Sequence, residues 1–213
     1  RNMVIDELLV SGDSLRAGMQ IADSVNAAKA KLIYLVFEEF EKQLAGVAER
    51  NHWTREKKSN WYEYKEQADE FFYKWNTTYP GINYIVNDAP MPDGKQLWFR
   101  VEVEHRLFAG FCVFDPNAES EEGHGDQVDE YDRETEKAVG HYLNISVEDH
   151  KDWWATRWYL PAGEQKPNDS VPNFKIMNDA AIALADKECR SEFVSLCVRN
   201  IEEMVERVLA IPE

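Results

Sequence analysis

The stretch QLWFRVEVEHRLFAGFCVF, residues 96–114, decides the fold of this chain. Apolar side chains recur at every second position of residues 96–103, which predicts a β-strand with one apolar side. Residues 107–114 form a second, apolar run. Only Glu104, His105 and Arg106 separate the two runs. Strands joined by so short a link run antiparallel, so the sequence predicts a β-hairpin at the centre of the fold.

Two more segments extend this predicted hairpin into a sheet. Residues 82–86 form a short strand, and the connection over residues 87–95 contains an Asp93-Gly94 turn. Residues 152–160 alternate well enough for another strand, with Trp154, Thr156, Trp158 and Leu160 expected on one face. We therefore expect a small, mostly antiparallel sheet of about four strands.

Helical patterns surround the predicted sheet. Residues 14–50 carry apolar side chains every three or four positions, which is typical of a long amphipathic helix that Asp13 or Ser14 could cap. The apolar stripe is broader than a strict heptad, so it fits a core contact, and a coiled-coil seam between two copies stays open. Further helices are predicted at 59–76, 129–142, 178–187 and 191–209. The sum is an α+β fold, with residues 1–213 as a single domain.

Composition narrows the classes of function. The chain has 213 residues, with 40 acidic against 24 basic side chains and a net charge of −16. This balance argues against binding of nucleic acid by the chain alone, and no apolar run is long enough to suggest a membrane span. The three cysteines show no Cys-x-x-Cys pair, which fits a reducing, cytoplasmic location.

The acids are densest over residues 119–136, where nine of them occur. We expect a solvated loop over the first half of this run, because repulsion and low apolar content oppose packing. The order of ligands that an EF-hand requires is absent. An acidic protein that mimics DNA and inhibits a basic partner is an alternative hypothesis for the net charge.

Residues 100–105 carry the candidate site. Arg100, Glu102 and Glu104 share one side of their strand, and with His105 nearby the two carboxylates suggest a metal site. The simpler interpretation is that these charges form the solvated face of a half-buried sheet. No serine-hydrolase elbow or phosphate-binding P-loop motif accompanies them.

A resemblance to known proteins rests on several segments taken together. They are the segments at 97–103 and 105–111, the pairs Trp153-Trp154 and Trp158-Tyr159, the Pro172-Asn173-Phe174 step and the closing helix. In this order, over residues 21–209, the sequence is similar to the C-terminal portion of bacterial PD-(D/E)XK nuclease superfamily proteins, of the kind connected with phage defence. In that superfamily an Asp and an (Asp/Glu)-x-Lys pair hold Mg²⁺. The nearest match here, Glu104-His105-Arg106, has Arg in place of Lys, so no catalytic role is carried over.

The resemblance implies that a nuclease core lies upstream of Arg1, that Mg²⁺ belongs to that parent protein, and that this chain holds no cofactor. The start at Arg1 fits a C-terminal fragment, whereas a natural start at Met3 after two cloning residues is the alternative. We therefore expect a non-catalytic module that binds the upstream core, another protein or a ligand. The candidate binding residues are Arg100, Glu102, Glu104, His105 and Trp158.

Two other functions remain as hypotheses beside this one. A complete metal-dependent phosphodiester hydrolase would use Glu102, Glu104 and His105. An acidic inhibitor would instead bind a DNA-binding protein. A homodimer is compatible with the long N-terminal helix.

Overall fold

A computed structural model describes residues 3–57, 63–73, 78–119, 125–145, 154–161, 163 and 166–209. The helices in these ranges are α1 (Met3–Leu8), α2 (Gly12–Arg50), α3 (Tyr64–Gln67), α4 (Arg133–Leu143), α5 (Asp179–Ala183) and α6 (Lys187–Leu209). The strands are β1 (Trp53–Glu56), β2 (Gly81–Val86), β3 (Gln96–Val103), β4 (Leu107–Asp115), β5 (Asp126–Gln127) and β6 (Trp154–Tyr159). The predicted α+β class is confirmed.

The six strands form one antiparallel sheet. Its order is β1-β2-β3-β4-β5, and β6 pairs with β4 on the same side as β5. The predicted hairpin of β3 and β4 is confirmed, with pairs running from Gln96 opposite Phe114 to Val103 opposite Leu107. The sheet has more strands than the four expected, because β1 and β5 lie in segments predicted to be loops.

One face of the sheet carries the main core. Side chains such as Phe99, Val101 and Phe111 on this face pack with the apolar side of α2 and α6. In α2 the buried positions recur every three or four residues: Ile33, Val36, Phe37, Phe40, Leu44 and Val47. This period places one side of the helix against the sheet, as the sequence predicts.

The opposite face of the sheet is buried as well, which corrects the expectation of a solvated face. Arg100 is 0% exposed and Glu102 is 2% exposed. A second apolar cluster lies beside them, formed by Trp98, Phe108, Cys112, Phe114 and Trp154. A strand that is buried on both faces carries apolar residues at odd and at even positions. Trp98, which lies on the same side of β3 as Arg100, was the sequence signal for burial of the second face.

The segment after α2 differs most from the prediction. Residues 53–56 were expected in a polar break, yet they form the edge strand β1, whose Trp53 stacks on Phe99 at a centroid distance of 4.7 Å. The helix predicted at 59–76 is represented by α3 and a series of turns over 68–73; its remaining residues, 59–62 and 74–76, lie outside the described residues. Pairing with β2 and burial of one indole outweigh the local polar composition.

A β-bulge overturns the expected alternation in β6. Thr156 is opposite Phe111, but Trp154, not Ala155, is opposite Cys112. The extra residue moves Trp154 to the second cluster, whereas Trp158 stays in the main core. The two tryptophans therefore lie on opposite faces of the sheet, and the prediction that they share a face is wrong.

The helix termini also differ in detail. The N-cap of α2 is Ser11, whose hydroxyl accepts a hydrogen bond from the Ser14 amide at 3.0 Å, so neither Asp13 nor Ser14 is the cap. The N-cap of α4 is Asp132, whose carboxylate accepts from the amides of Glu134 and Thr135. α6 begins at Lys187, four residues before the predicted start.

The N-terminal part of the chain extends beyond the core. No residue from Met3 to Lys29 is buried, and Ala30 is the first buried residue of α2. From Gly12 to Ala30 the helix rises about 27 Å. We call residues 3–28, which comprise α1, the turn after it and the start of α2, the arm.

Candidate functional site

The described structure offers two candidate functional sites. The first is a buried polar cluster on the second face of the sheet. Its centre is the guanidinium of Arg100. Nε of Arg100 donates to the Glu102 carboxylate, Nη1 donates to Asn83 Oδ1 at 2.5 Å, and Nη2 donates to the Tyr79 carbonyl at 2.7 Å. The strand register explains the contact, because Asn83 lies opposite Arg100 on β2.

Glycines make room for this cluster. A Cβ at Gly81 would lie 2.8 Å from Nη2 of Arg100 and 2.7 Å from the Val101 carbonyl oxygen. Gly110 lies between Arg100 and Arg157 in the same row of the sheet. A Cβ there would lie 2.1 Å from the Thr156 carbonyl oxygen. The bulged strand β6 therefore approaches β4 as closely as it does only because residue 110 has no side chain.

The electrostatics of the cluster are those of a buried ion pair. Burial raises the pKa of Glu102, and the charge and hydrogen bond of Arg100 act in the opposite direction. Burial also raises the pKa of Tyr79, and the nearby carboxylates of Glu104 and Glu102 add to this rise. The pKa of the Cys112 thiol is raised to about 12 by burial, so this cysteine is protonated near neutral pH.

The structure brings only part of the predicted site together. Arg100 and Glu102 are in direct contact, whereas Glu104 is exposed in the turn between β3 and β4. His105 is half-buried in that turn, and its backbone carbonyl accepts a hydrogen bond from the Phe174 amide at 2.9 Å. Trp158 lies in the main core on the other face of the sheet, so it does not belong to this cluster.

The cluster has the chemistry of a structural contact. The Glu102 carboxylate, which a metal site would need, is already engaged by the guanidinium of Arg100. Among the residues in the described ranges, no group of three or more His, Cys, Asp and Glu side chains is arranged to hold a metal ion. The ion pair lies within β3, and the hydrogen bond from Arg100 to Asn83 joins β3 to β2.

The second candidate site is the arm. Nine large apolar side chains in it are between 43% and 78% exposed: Met3, Val4, Ile5, Leu9, Val10, Leu15, Met19, Ile21 and Val25. Monomeric proteins usually leave apolar patches of roughly a few hundred Å² uncovered, and larger patches mark interaction sites. The arm has the composition of an interface and little contact with the rest of the molecule.

The arm is a helical hairpin. α1 folds back on α2, and the side chain of Leu8 packs over Gly18, where a Cβ would lie 2.3 Å from Cδ2 of Leu8. The hairpin therefore presents apolar residues from two helices. The sequence signal for it was the apolar run MVIDELLV at residues 3–10, which lies before the predicted helix and has no role in the predicted core.

The acidic run is partly described. Asp132 caps α4 and accepts a hydrogen bond from Lys95 Nζ at 2.8 Å, and the contact with Lys95 lowers the pKa of Asp132. Asp126 belongs to the short strand β5. Residues 120–124, with Glu121, Glu122 and His124, lie outside the described residues. The run thus contributes structural contacts as well as net charge.

Comparisons with protein-family models, with curated proteins and with solved structures find no match for this chain. The nuclease resemblance therefore stays a prediction that rests on strand pattern and aromatic placement. In the part of the chain that the structure describes, no helix has the combination of length and apolar composition needed to cross a bilayer.

Proposed function

We propose that this chain is a non-catalytic protein-binding module and that the arm is the surface that contacts the partner. The observation that carries the proposal is the exposure of nine large apolar side chains on a helical hairpin that extends beyond the core. Burying such side chains against a protein removes apolar surface from water, which is the main favourable term in association.

The charges of the arm favour a protein over a membrane surface as the partner. Residues 3–28 contain four acidic side chains, Asp6, Glu7, Asp13 and Asp23, against one basic side chain, Arg16. Helices that lie on membranes usually carry lysine and arginine on their polar side, which attract anionic lipids. Acidic side chains beside the apolar stripe would be repelled by such lipids.

The polar cluster supports the non-catalytic part of the proposal. A hydrolase that used Glu102 to bind a metal would have to break its buried contact with Arg100, which leaves the buried guanidinium without its counter-charge. If the chain belongs to a nuclease-like parent protein, as the resemblance implies, the partner is the upstream nuclease core of that protein. A separate protein is the other source.

Photo-cross-linking tests the binding surface. A photoreactive amino acid replaces Met19 in the arm, and in a matched control it replaces Ile182 on α5, which is 54% exposed. We expect a discrete protein adduct from position 19 that Leu15→Glu abolishes, and none from position 182. Equal labelling at both sites, or Leu15→Glu-sensitive binding to phosphatidylglycerol vesicles without a protein adduct, would contradict the proposal.

A cleavage assay tests the absence of catalysis. The chain is incubated with linear DNA and with Mg²⁺ or Mn²⁺, and no cleavage above the buffer rate is expected. Metal-dependent cleavage that Glu102→Gln abolishes, in a variant that keeps its circular-dichroism spectrum, would overturn the non-catalytic assignment.

A further inference from the structure

We infer that the partner of the arm is a second copy of this chain, and that the two arms pair antiparallel about a two-fold axis near Met19 and Gln20. The inference rests on the proposed function and specifies its partner.

The α2 part of the arm has the pattern of a helix-pairing seam. Leu15, Met19, Ala22 and Asn26 follow one another at steps of four, three and four residues. They continue the side of α2 that Ile33 and later residues bury in the core. Before Ala30 this side of the helix has no sheet to cover it. α1 packs beside the seam through Leu8 and Gly18, so two arms would form a four-helix bundle.

The charges along the seam are self-complementary in one orientation. Arg16 and Asp23 are seven residues apart, so both lie on the same edge of the stripe. In an antiparallel pair the same edges of the two helices face each other, whereas in a parallel pair opposite edges meet. An axis near Met19 and Gln20 therefore places Arg16 of each copy beside Asp23 of the other, twice over.

The remaining charge on this part of the arm is compatible with the same register. Asp13 is two residues before Leu15, which places it on the side of α2 away from the seam, so it brings no acid against the second copy. Within one copy, Asp13 Oδ1 accepts a hydrogen bond from Nη1 of Arg16 at 3.0 Å, with the two side chains 93% and 74% exposed. Such an exposed pair stabilises the helix only weakly, and Arg16 retains donors for Asp23 of the second copy.

The area is sufficient for a stable dimer. A specific interface buries about 800 Å² per partner. The large exposed apolar side chains of the arm, apart from Ile21, which lies on the other side of α2 from Met19, supply an area on the order of that value. The apolar residues lie on both helices of the hairpin, which is wider than a two-stranded seam requires and suits a bundle.

A charge exchange tests the inference by sedimentation equilibrium. Arg16→Asp makes an acid face an acid at both ends of the seam, and Asp23→Arg makes a base face a base at the same two places. We expect the full chain to be a dimer and each variant alone to dimerise about tenfold more weakly or worse. Mixed in equal amounts, the two variants should form a heterodimer as tightly as the wild type, because opposite charges then face each other again.

Matched variants separate this result from general effects of charge. Arg199→Asp and Glu203→Arg change the charge equally at exposed positions of α6 and should leave the dissociation constant unchanged. Asp13→Asn tests the pair within the helix and should leave it unchanged as well.

Single variants that keep wild-type affinity, or a mixture that fails to recover it, would overturn the antiparallel pairing. A chain that is monomeric at every concentration would overturn the inference. If such a chain still gave a discrete adduct with another protein from position 19, the protein-binding function would stand. If it gave none, both would fail.

Discussion

At the scale of single residues, the contact of Arg100 with Glu102 replaces the solvated charges that alternation predicts. Both side chains are buried, and Arg100 also holds Asn83 and the Tyr79 carbonyl. Each of the two charges compensates the desolvation of the other. The losses in stability caused by removing Arg100 and by removing Glu102 are therefore not additive.

Arg100→Met leaves the Glu102 carboxylate buried without its guanidinium. We expect a loss of about 3 to 5 kcal/mol in the free energy of unfolding, measured by urea denaturation. The double variant Arg100→Met/Glu102→Leu removes both charges and should lose only about 1 to 2 kcal/mol, for the Asn83 and Tyr79 contacts that disappear with Arg100. Additive losses in the double variant would show that the two side chains are not coupled.

Glu41 belongs to a second ionic group, which joins α2 to β1 and α3. Its carboxylate lies 2.9 Å from Lys57 Nζ, 3.0 Å from the Tyr64 hydroxyl and 3.5 Å from Arg55 Nε. Burial acts to raise its pKa, but the hydrogen bonds of Lys57 and Tyr64 and the charge of Arg55 outweigh burial and lower the pKa from 4.5 to about 2.

A lowered carboxylate pKa stabilises the folded state above the unfolded value and loses this contribution as the pH falls towards the folded value. We therefore expect Glu41→Gln to be less stable than the wild type at pH 7. The difference should shrink as the pH falls from about 4.5 to about 2, and denaturation curves across this range measure it. Glu38→Gln, an exposed site on the same helix, controls for the change in charge. A difference that does not vary with pH would contradict the assigned role.

At the scale of elements, the pairing of β4 with the bulged strand β6 depends on the missing side chain at residue 110. Gly110→Ala brings Cβ within 2.1 Å of a backbone oxygen, which cannot move without disturbing β6. We expect this variant to lose about 3 kcal/mol or more, measured by thermal unfolding.

The same substitution has the opposite effect where space is available. At Gly46 in α2, a Cβ would meet only the flexible end of the Arg50 side chain, at 3.4 Å. Gly46→Ala should stabilise the chain by about 0.5 to 1 kcal/mol, because alanine is the better helix former. Equal effects at the two glycines would contradict the close approach of β6.

The elements also show how far the sequence could predict the structure. The hairpin of residues 96–114 and the long helix were predictable because their periods of two and of three to four residues are continuous. β1 was not, since a four-residue edge strand owes its existence to partners such as Val86, which lies opposite Trp53. The bulge in β6 was not predictable either, because one inserted residue leaves no mark in composition.

The candidate site was harder to predict than the fold. Glu102 was predicted as a metal-binding or partner-binding residue, whereas the structure places it in a buried contact with Arg100. The other side-chain partner of Arg100, Asn83, lies on another strand, and no motif links the two residues. The arm carried a signal, the apolar run at residues 3–10, but its exposure depends on where the sheet ends along α2. Only the packed structure gives that boundary.

At the scale of the whole molecule, the two long helices that pack together beside the sheet are far apart in the chain. β2, β3 and β4 are consecutive and pair in sequence order, whereas α2 and α6 come from opposite ends. Gln43 and Ser195 join these two helices by a hydrogen bond of 2.8 Å across 152 residues.

This separation has a consequence for biosynthesis. At translation rates of 5–20 residues per second, α6 leaves the ribosome roughly ten to thirty seconds after α2. Throughout that delay the side of α2 that α6 later covers is without its cover, while the local hairpins of the sheet can already assemble. The nascent chain therefore passes through a stage in which the apolar side of a long amphipathic helix is open to chaperones and to neighbouring chains on the same polysome.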